Sequence, residues 1–368
     1  MTPFFFFSFF VAFVLFGGQL FLWFSLIKFF SIKNKIIKFS LLVILVILAL
    51  SFTPALSWIT LPDGSFSRCL HVFTSMWIGI FGNLMIFIVI AWVAIFILKK
   101  FKIDFKIKFI GILALAFGIG LSIMGFINAA NPVVKELNIK MSNLPENWKG
   151  KKIVQLSDVH FGSINNIKFL EKIVKKVNDL QPDLIVYTGD LFDREDGVGP
   201  DFVDTMNKMK PKDGSYFAFG NHDVYFGMDN VKKIMAESGI KILSDEMVNI
   251  NGLQLIGLDG WEFTGRTDIK DVLEKIAFDK NKPSVLLYHV PANVAEIKAG
   301  GINLWLAGHT HRGQLWPINW LITWVYKGYG HGLFQDNNFF LYVSAGTGSW
   351  GPSMRTSGPP EIVVINLE

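Results

Sequence analysis

The first 130 residues are apolar almost throughout. Four stretches, 4–27, 39–61, 69–98 and 109–130, contain no Asp, Glu, Lys or Arg. Each is long enough to cross a hydrocarbon core, which takes about 20 apolar residues. A buried core helix could account for one of them, but four in succession predict a four-helix transmembrane bundle. The first has no positively charged stretch before it and is too long for a signal-peptide core, so it is expected to be a span. After Asn131-Pro132 the pattern changes. Short β-rich runs at 153–156, 184–187, 216–218, 255–258, 285–288, 304–306, 340–343 and 362–365 are interleaved with helical stretches. In 168–180 the apolar residues Phe169, Leu170, Ile173, Val174, Val177 and Leu180 recur at helical spacing. The alternation predicts an α/β domain. The expected organisation is a transmembrane domain at 1–130, a linker at 131–150 and a catalytic domain at 151–368.

Charge then orients the spans. The first connection carries Lys28, Lys33, Lys35 and Lys38. The third carries Lys99, Lys100, Lys102, Lys106 and Lys108 against Asp104, and the second only Asp63 and Arg68. Lys and Arg accumulate on the cytoplasmic side, so a multi-pass protein of the cell membrane is expected, with its C-terminal domain extracytoplasmic. Residues 1–130 carry a net +8 and the remainder a net −3. The overall positive charge thus belongs to the membrane half and gives no reason to expect nucleic-acid binding. His71, Asn83, Gln19 and Asn128 are the notable polar groups within or beside the spans, and helix packing or interfacial placement accounts for them. Cys69 is the only cysteine, so no internal disulfide and no cysteine-based zinc site can form.

Five expected strands end in residues able to bind metal: Asp158-Val-His160, Gly189-Asp190 with Asp193 following, Gly220-Asn221-His222-Asp223, His289, and Gly308-His309-Thr-His311. In open α/β sheets ligands bind beyond the carboxyl ends of strands, which lets these side chains converge. Imidazoles, carboxylates and one amide oxygen suit Mn, Fe or Zn and suit calcium poorly. Seven such ligands are too many for one ion and fit a pair sharing a carboxylate. His331 lies outside the pattern, at the rim at most.

These motifs, in this order, resemble the signature of calcineurin-like metallophosphoesterases. The tail Gly346-x-Gly348-x-x-Gly351 with Arg355 and Pro359-Pro360 is similar to a membrane-anchored bacterial phosphodiesterase subgroup. The resemblance implies a four-layer (αββα) domain and two divalent metal ions. The first would be held by Asp158, His160, Asp190 and His311, the second by Asp190, Asn221, His289 and His309. His222 would stand near the leaving group as a catalytic residue, oriented by Asp223, while Asn221 would contact the substrate phosphate. Arg355, whose guanidinium can fork onto phosphate oxygens, is expected either as a second phosphate contact or as a surface arginine. The expected reaction is phosphoester hydrolysis by a hydroxide bridging the metals. Trp316, Trp320, Trp324, Tyr326 and Tyr329 crowd one loop. Such aromatics favour membrane interfaces, and with the anchor they point to membrane lipids as partners and a lipid-linked or envelope phosphoester as substrate. The alternatives are a UDP-2,3-diacylglucosamine pyrophosphate hydrolase, whose substrate would be cytoplasmic, and a non-catalytic membrane sensor on the same scaffold.

Overall fold

The computed structural model describes residues 3–51, 65–193, 198–259 and 269–368. The chain divides into two compact units, residues 1–126 with 351–353, and residues 127–350 with 354–368.

The first unit is helical: α1 (Pro3–Phe29), α2 (Lys35–Leu50), α3 (Ser65–Lys100) and α4, which starts at Ile107 and ends at Ala129. Two of these, over Phe66–Lys100 and Ile107–Ala129, are long and apolar enough to cross a membrane. The described side chains of α1 form a shorter apolar helix, Phe13–Phe29, and α2 has 16 residues. Among the described residues, then, two full-length spans are seen, and the four-helix bundle is not established. The end of the second expected span, and Asp63 in the loop beyond it, lie outside the described residues. The third expected span starts earlier than the apolar pattern implied. Its helix takes in Arg68 and runs 36 residues, about 54 Å at 1.5 Å per residue. Leu22, Phe29, Leu45, Ile88 and Ile95 pack inward, while Phe39, Ile47, Phe96 and Phe117 remain exposed. Helices apolar on both faces suit lipid rather than water. Of the polar groups, Asn83 serves packing, its Nδ2 donating to Ser122 Oγ at 3.1 Å, while Gln19 is buried with neither amide atom hydrogen-bonded; Trp92 Nε1 donates to Ser25 Oγ at 2.9 Å.

The second unit is built on two six-stranded mixed sheets. In the first the order is β1 (Val133–Ile139), β12 (Glu361–Leu367), β2 (Lys152–Leu156), β3 (Leu184–Thr188), β4 (Ser215–Ala218) and β5 (Lys241–Ile242). In the second it is β10 (Gly332–Asp336), β11 (Phe339–Val343), β9 (Leu304–Ala307), β8 (Ser284–Leu287), β7 (Leu253–Gly257) and β6 (Glu246–Ile250). Side chains alternate across each strand, which gives three buried layers. Ile153, Leu184, Val186, Val363 and Ile365 face Leu255, Val285, Leu287, Leu306 and Tyr342 between the sheets. On the outer face of the first sheet, Val154, Ile185, Phe217 and Val364 pack against α5 (Ile167–Asp179), α6 (Pro200–Met206), α7 (Asn221–Phe226) and α8 (Met228–Ser238). Beyond the second sheet, Ile256, Leu286 and Trp305 meet α9 (Ile269–Ile276) and α10 (Val294–Gly300). The order of layers is helix, sheet, sheet, helix.

The segment expected as a linker is part of this fold. Residues 133–139 form β1, in parallel register with β12 from Val133↔Glu361 to Ile139↔Leu367. Trp148 is fully buried, and its indole N–H donates to Ile250 O at 2.8 Å. The strand shows a weak pattern because it is an edge strand with most side chains exposed.

Candidate metal centre

The strands that carry the motifs run parallel within each sheet, β2, β3 and β4 in one and β8 and β9 in the other. Their carboxyl ends therefore lie together, and the backbone ties them. Asp158 N donates to Gly189 O and His160 N to Asp190 O, each at 3.0 Å, and Gly308 N donates to His289 O at 2.9 Å. The two sheets meet where His309 N–H donates to both carboxylate oxygens of Asp158, at 3.0 and 3.1 Å. The glycines make this approach possible. A Cβ at Gly220 would overlap Asp190 Oδ1, and one at Gly308 would overlap Ser157 Oγ and Asp158 Oδ2.

The backbone at the site is strained. Asp158, His160, Asp190, His309 and His311 all have positive φ, between 47° and 69°. Asp and His enter this region more readily than other side chains, yet each such residue costs on the order of 1–3 kcal/mol. Positive φ also occurs at turn residues elsewhere, Gln181 and Ala277 among them, but five such residues converge on this one site.

Three groups of side chains could each hold a metal ion: Asp158, His160 and His311; Asp190, His289 and His309; and His160, Asp193 and His222. The first two groups meet at Asp190, whose Oδ2 lies 3.0 Å from His289 Nε2 and 3.9 Å from His160 Nε2. Asp158 Oδ1 lies 3.2 Å from His311 Nε2. Asn221 joins the second group, its Oδ1 2.9 Å from His309 Nδ1.

The tautomers test whether these residues fit a cation. His289 Nδ1–H donates to Thr188 O at 2.6 Å, which leaves Nε2 facing Asp190, buried and without a hydrogen bond. A carbonyl partner on the far nitrogen is the usual arrangement for a metal-ligating histidine. His160 Nδ1 is also buried and unbonded, 3.6 Å from Asp193, and its Nε2 faces His311 Nε2 at 3.0 Å. Arg355 Nη2 lies 2.9 Å from His311 Nδ1 and holds the ring with its Nε2 turned towards Asp158 and His160. Two imidazole nitrogens face to face beside buried carboxylates fit a divalent cation better than they fit each other.

The charges agree. Burial alone would raise Asp158, but His311 and His289 outweigh it and hold the carboxyl well below its usual range. Asp190 and Asp193 are lowered in the same way, against burial, by His289 and by His160 with His222 respectively. Burial brings His309 and His311 down to about 4, so both stay neutral and available as ligands. His289 goes the other way. Burial opposes its charge, yet Asp190 and Asp158 carry it up to about 10, which marks a place where positive charge is favoured.

Two expected roles need correction. Asp223 does not orient His222. Its Oδ2 accepts from the N–H of Asp190 at 2.6 Å and Gly220 at 2.9 Å, and its Oδ1 from Leu191 at 3.0 Å and Phe192 at 3.2 Å. Burial and the Asp190 carboxylate push it up to about 7 against the pull of these donors. The carboxylate beside His222 is Asp193, 3.4 Å from Nδ1. The sequence motif contains Asp193, but its spacing assigns it no partner. The structure places Arg355, expected as a phosphate contact, in the interior. It is fully buried, and its guanidinium donates to Gly348 O, Ala345 O and His311 O as well as to His311 Nδ1. Asn128, expected in helix packing, donates to Arg355 O at 3.1 Å. Tyr225 and Trp350, which the motifs do not mark, flank His222 at ring distances of 5.7 and 5.6 Å and stand exposed.

Two mixed sheets between helices, with histidines and aspartates at the facing strand ends, define a metal-dependent phosphoesterase type of domain. Residues 151–313 match the family model described as calcineurin-like phosphoesterase. An uncharacterized metallophosphoesterase of Bacillus subtilis is 30% identical over 63% of this chain and 84% of its own length. The chain belongs to the calcineurin-like metallophosphoesterase family. An uncharacterized metallophosphoesterase of Campylobacter jejuni is 34% identical over 64% of this chain. A transmembrane protein with metallophosphoesterase domain from Danio rerio is 32% identical over 70% of it. The chain spans just under two thirds of the length of these last two, 63% and 62%.

Proposed function

We propose that the protein is a membrane-anchored phosphoester hydrolase working with two divalent cations of the Mn, Fe or Zn type. The observation that carries this reading is Asp190, a single carboxylate adjoining imidazoles of both groups. The first cation would take Asp158, His160, Asp190 and His311, the second Asp190, Asn221, His289 and His309. When bound, two such cations neutralise charge on the phosphoryl oxygens and activate water for in-line attack. The chain's own residues position the rest. Thr188 O fixes the ring of His289, Arg355 that of His311, and Asp193 holds Nδ1 of His222 so that Nε2 is the free donor for a leaving oxygen. A phosphodiester on a lipid-linked or envelope molecule is the substrate class this reading favours, because helices able to cross a membrane stand in the same chain.

The test is hydrolysis by detergent-purified protein stripped of metal and resupplied with Mn²⁺, Zn²⁺ or Fe²⁺, on bis-(p-nitrophenyl) phosphate and on the monoester. Activity restored by metal and absent from Asp190→Ala supports the reading, and the diester-to-monoester ratio narrows the substrate. Two bound metals with no turnover on any ester would favour the non-catalytic sensor. Failure to bind metal would overturn the reading.

The finer topology is four crossings with the catalytic unit outside the cytoplasm, supported by the lysines of the first and third connections. With Cys69→Ser as background, a cysteine at exposed Lys233 should react with a membrane-impermeant maleimide in intact cells. Protection there would place the domain inside and favour the pyrophosphate hydrolase reading.

A further inference from the structure

The helix α11 (Ile318–Val325), which follows the last metal-binding motif, has no use in the fold described so far. Its sequence is INWLITWV, and none of its eight residues is buried. Trp320 is 66% and Trp324 77% exposed, and Ile318, Leu321 and Val325 are exposed beside them. Its two polar residues, Asn319 and Thr323, share one side against Gly313 and Gly330, and the exposed apolar patch on the rest of the helix marks a contact surface. Its electrostatics select the partner. From Ile297 to Gln335 the chain contains no Asp or Glu, while Lys298, Arg312 and Lys327 are present. Arg312 and Lys327, on either side of the helix, are exposed. Tryptophans one turn apart, with flanking cations and no acid, match the chemistry of a bilayer interface, where indole rings sit at headgroup depth and Lys or Arg meets lipid phosphate. The same chain carries helices able to cross a membrane, so a bilayer is always at hand.

The helix is also coupled to the metal centre. Tyr326, at its C-terminal end, sets its ring 5.9 Å from that of His309, edge to face. Thr310, between His309 and His311, donates its hydroxyl to Gly330 O at 2.7 Å. A Cβ at Gly313 would crowd the backbone of Asn319, so the turn after His311 lies directly against the helix.

We infer that α11 is a membrane-docking helix that inserts its Trp320, Leu321 and Trp324 face into the bilayer interface, bringing the metal centre to phosphoesters at headgroup level. The access it gives to lipid substrates rests on the hydrolase reading above, but the docking itself does not.

The experiment uses the full-length protein with Cys69→Ser and Leu321→Cys, labelled with an environment-sensitive fluorophore and reconstituted in phosphatidylcholine–phosphatidylglycerol vesicles. A label on exposed Lys233→Cys serves as the control. The expected result is a blue-shifted label at 321 that loses at least half its emission to lipids spin-labelled near the headgroup, with the control unquenched. Failure of lipid quenching at 321 overturns the inference. In that case, emission that changes with protein density at fixed lipid identifies a second copy as the occupant, and emission insensitive to both identifies cover by the chain itself. Metal-restored hydrolysis of bis-(p-nitrophenyl) phosphate is measured on the same vesicles. Quenching without hydrolysis keeps the docking and removes the hydrolase reading, while hydrolysis without quenching does the reverse.

Discussion

Oδ1 of Asp193 lies 3.4 Å from Nδ1 of His222. The same oxygen lies 3.6 Å from Nδ1 of His160, so one carboxylate faces two imidazoles of different roles. Hydrogen bonding to Asp193 and the field of Asp190 overcome burial and raise His222 above its ordinary value, which favours the protonated ring. Asp193→Asn keeps the shape and removes the charge. Turnover of the metal-loaded protein on bis-(p-nitrophenyl) phosphate should fall tenfold to a hundredfold, part of the roughly 10²–10⁴ that a positioned acid contributes. Metal content, measured by elemental analysis, should stay at the wild-type level. Loss of metal in proportion to activity would mean that Asp193 is a ligand instead.

Asp223 should behave differently from its neighbour. Four backbone N–H groups converge on its carboxylate, three from 190–192 and one from Gly220. A buried N–H left without an acceptor costs about 1–3 kcal/mol. Asp223→Ala should therefore lower thermal stability by several kcal/mol and take metal binding down with it, because Asp190 is held by the same turn. A variant with wild-type melting and metal content but impaired turnover would restore a catalytic role to Asp223.

The strand ends were legible in the sequence because each of β2, β3, β4, β8 and β9 is a short apolar run that stops at a Gly, Asp or His. Burial on both faces writes that pattern strongly. Edge strands write it weakly. Lys135 and Glu136 in β1 are exposed, so the strand reads as polar linker until its pairing with β12 is seen. The partners of Asp223 and Arg355 were not legible either. Both side chains bond to backbone groups, and no residue type in the sequence signals where a free N–H or carbonyl will lie. Spacing could bring Asp193 into the motif, but only the turn after β3 aims it at His222 rather than at a metal group. Among the apolar segments, composition alone could not show that the helix containing Arg68 begins at Ser65.

Acid should act on the protein partly through Glu361. It is buried, accepts from Tyr342 Oη and Ala345 N at 2.8 Å each, and lies 3.6 Å from His331 Nε2. Burial would raise its pKa, but the hydrogen bond and charge of His331, with Ala345 N–H and Tyr342, lower it below the ordinary glutamate value. A carboxyl lowered in the folded state contributes stability that is complete above the unfolded value, about 4.3, and is lost as pH falls through the folded value. Glu361→Gln retains an acceptor for Tyr342 and Ala345 but cannot titrate. Its melting temperature should lie below that of the wild type at pH 7 and converge with it as pH is lowered below about 4. A gap that stays constant with pH would show that the contribution of Glu361 is not electrostatic.

Arg355 gives the last prediction, because the two roles open to a guanidinium at this site separate cleanly in kinetics. As a phosphate contact it would be lost in KM. In the structure its donors are spent on Ala345, Gly348 and His311, and it has no exposed surface. The Ala345 and Gly348 carbonyls belong to the turn after β11, which also meets the metal loop where Thr347 N donates to Ser157 O at 2.7 Å and Gly348 N to Asp158 O at 2.9 Å. Arg355→Met fills much of the volume and leaves the carbonyls and His311 Nδ1 unpaired. The expected outcome is a loss of about 3 kcal/mol or more in stability and weaker binding of the cation held through His311, read as a lower midpoint in chelator titration. For the fraction that remains metal-loaded, KM for bis-(p-nitrophenyl) phosphate should stay within about twofold of wild type, since the side chain does not reach the substrate. A stable variant with full metal content and a KM raised tenfold or more would mean that Arg355 turns outward to bind phosphate during the reaction.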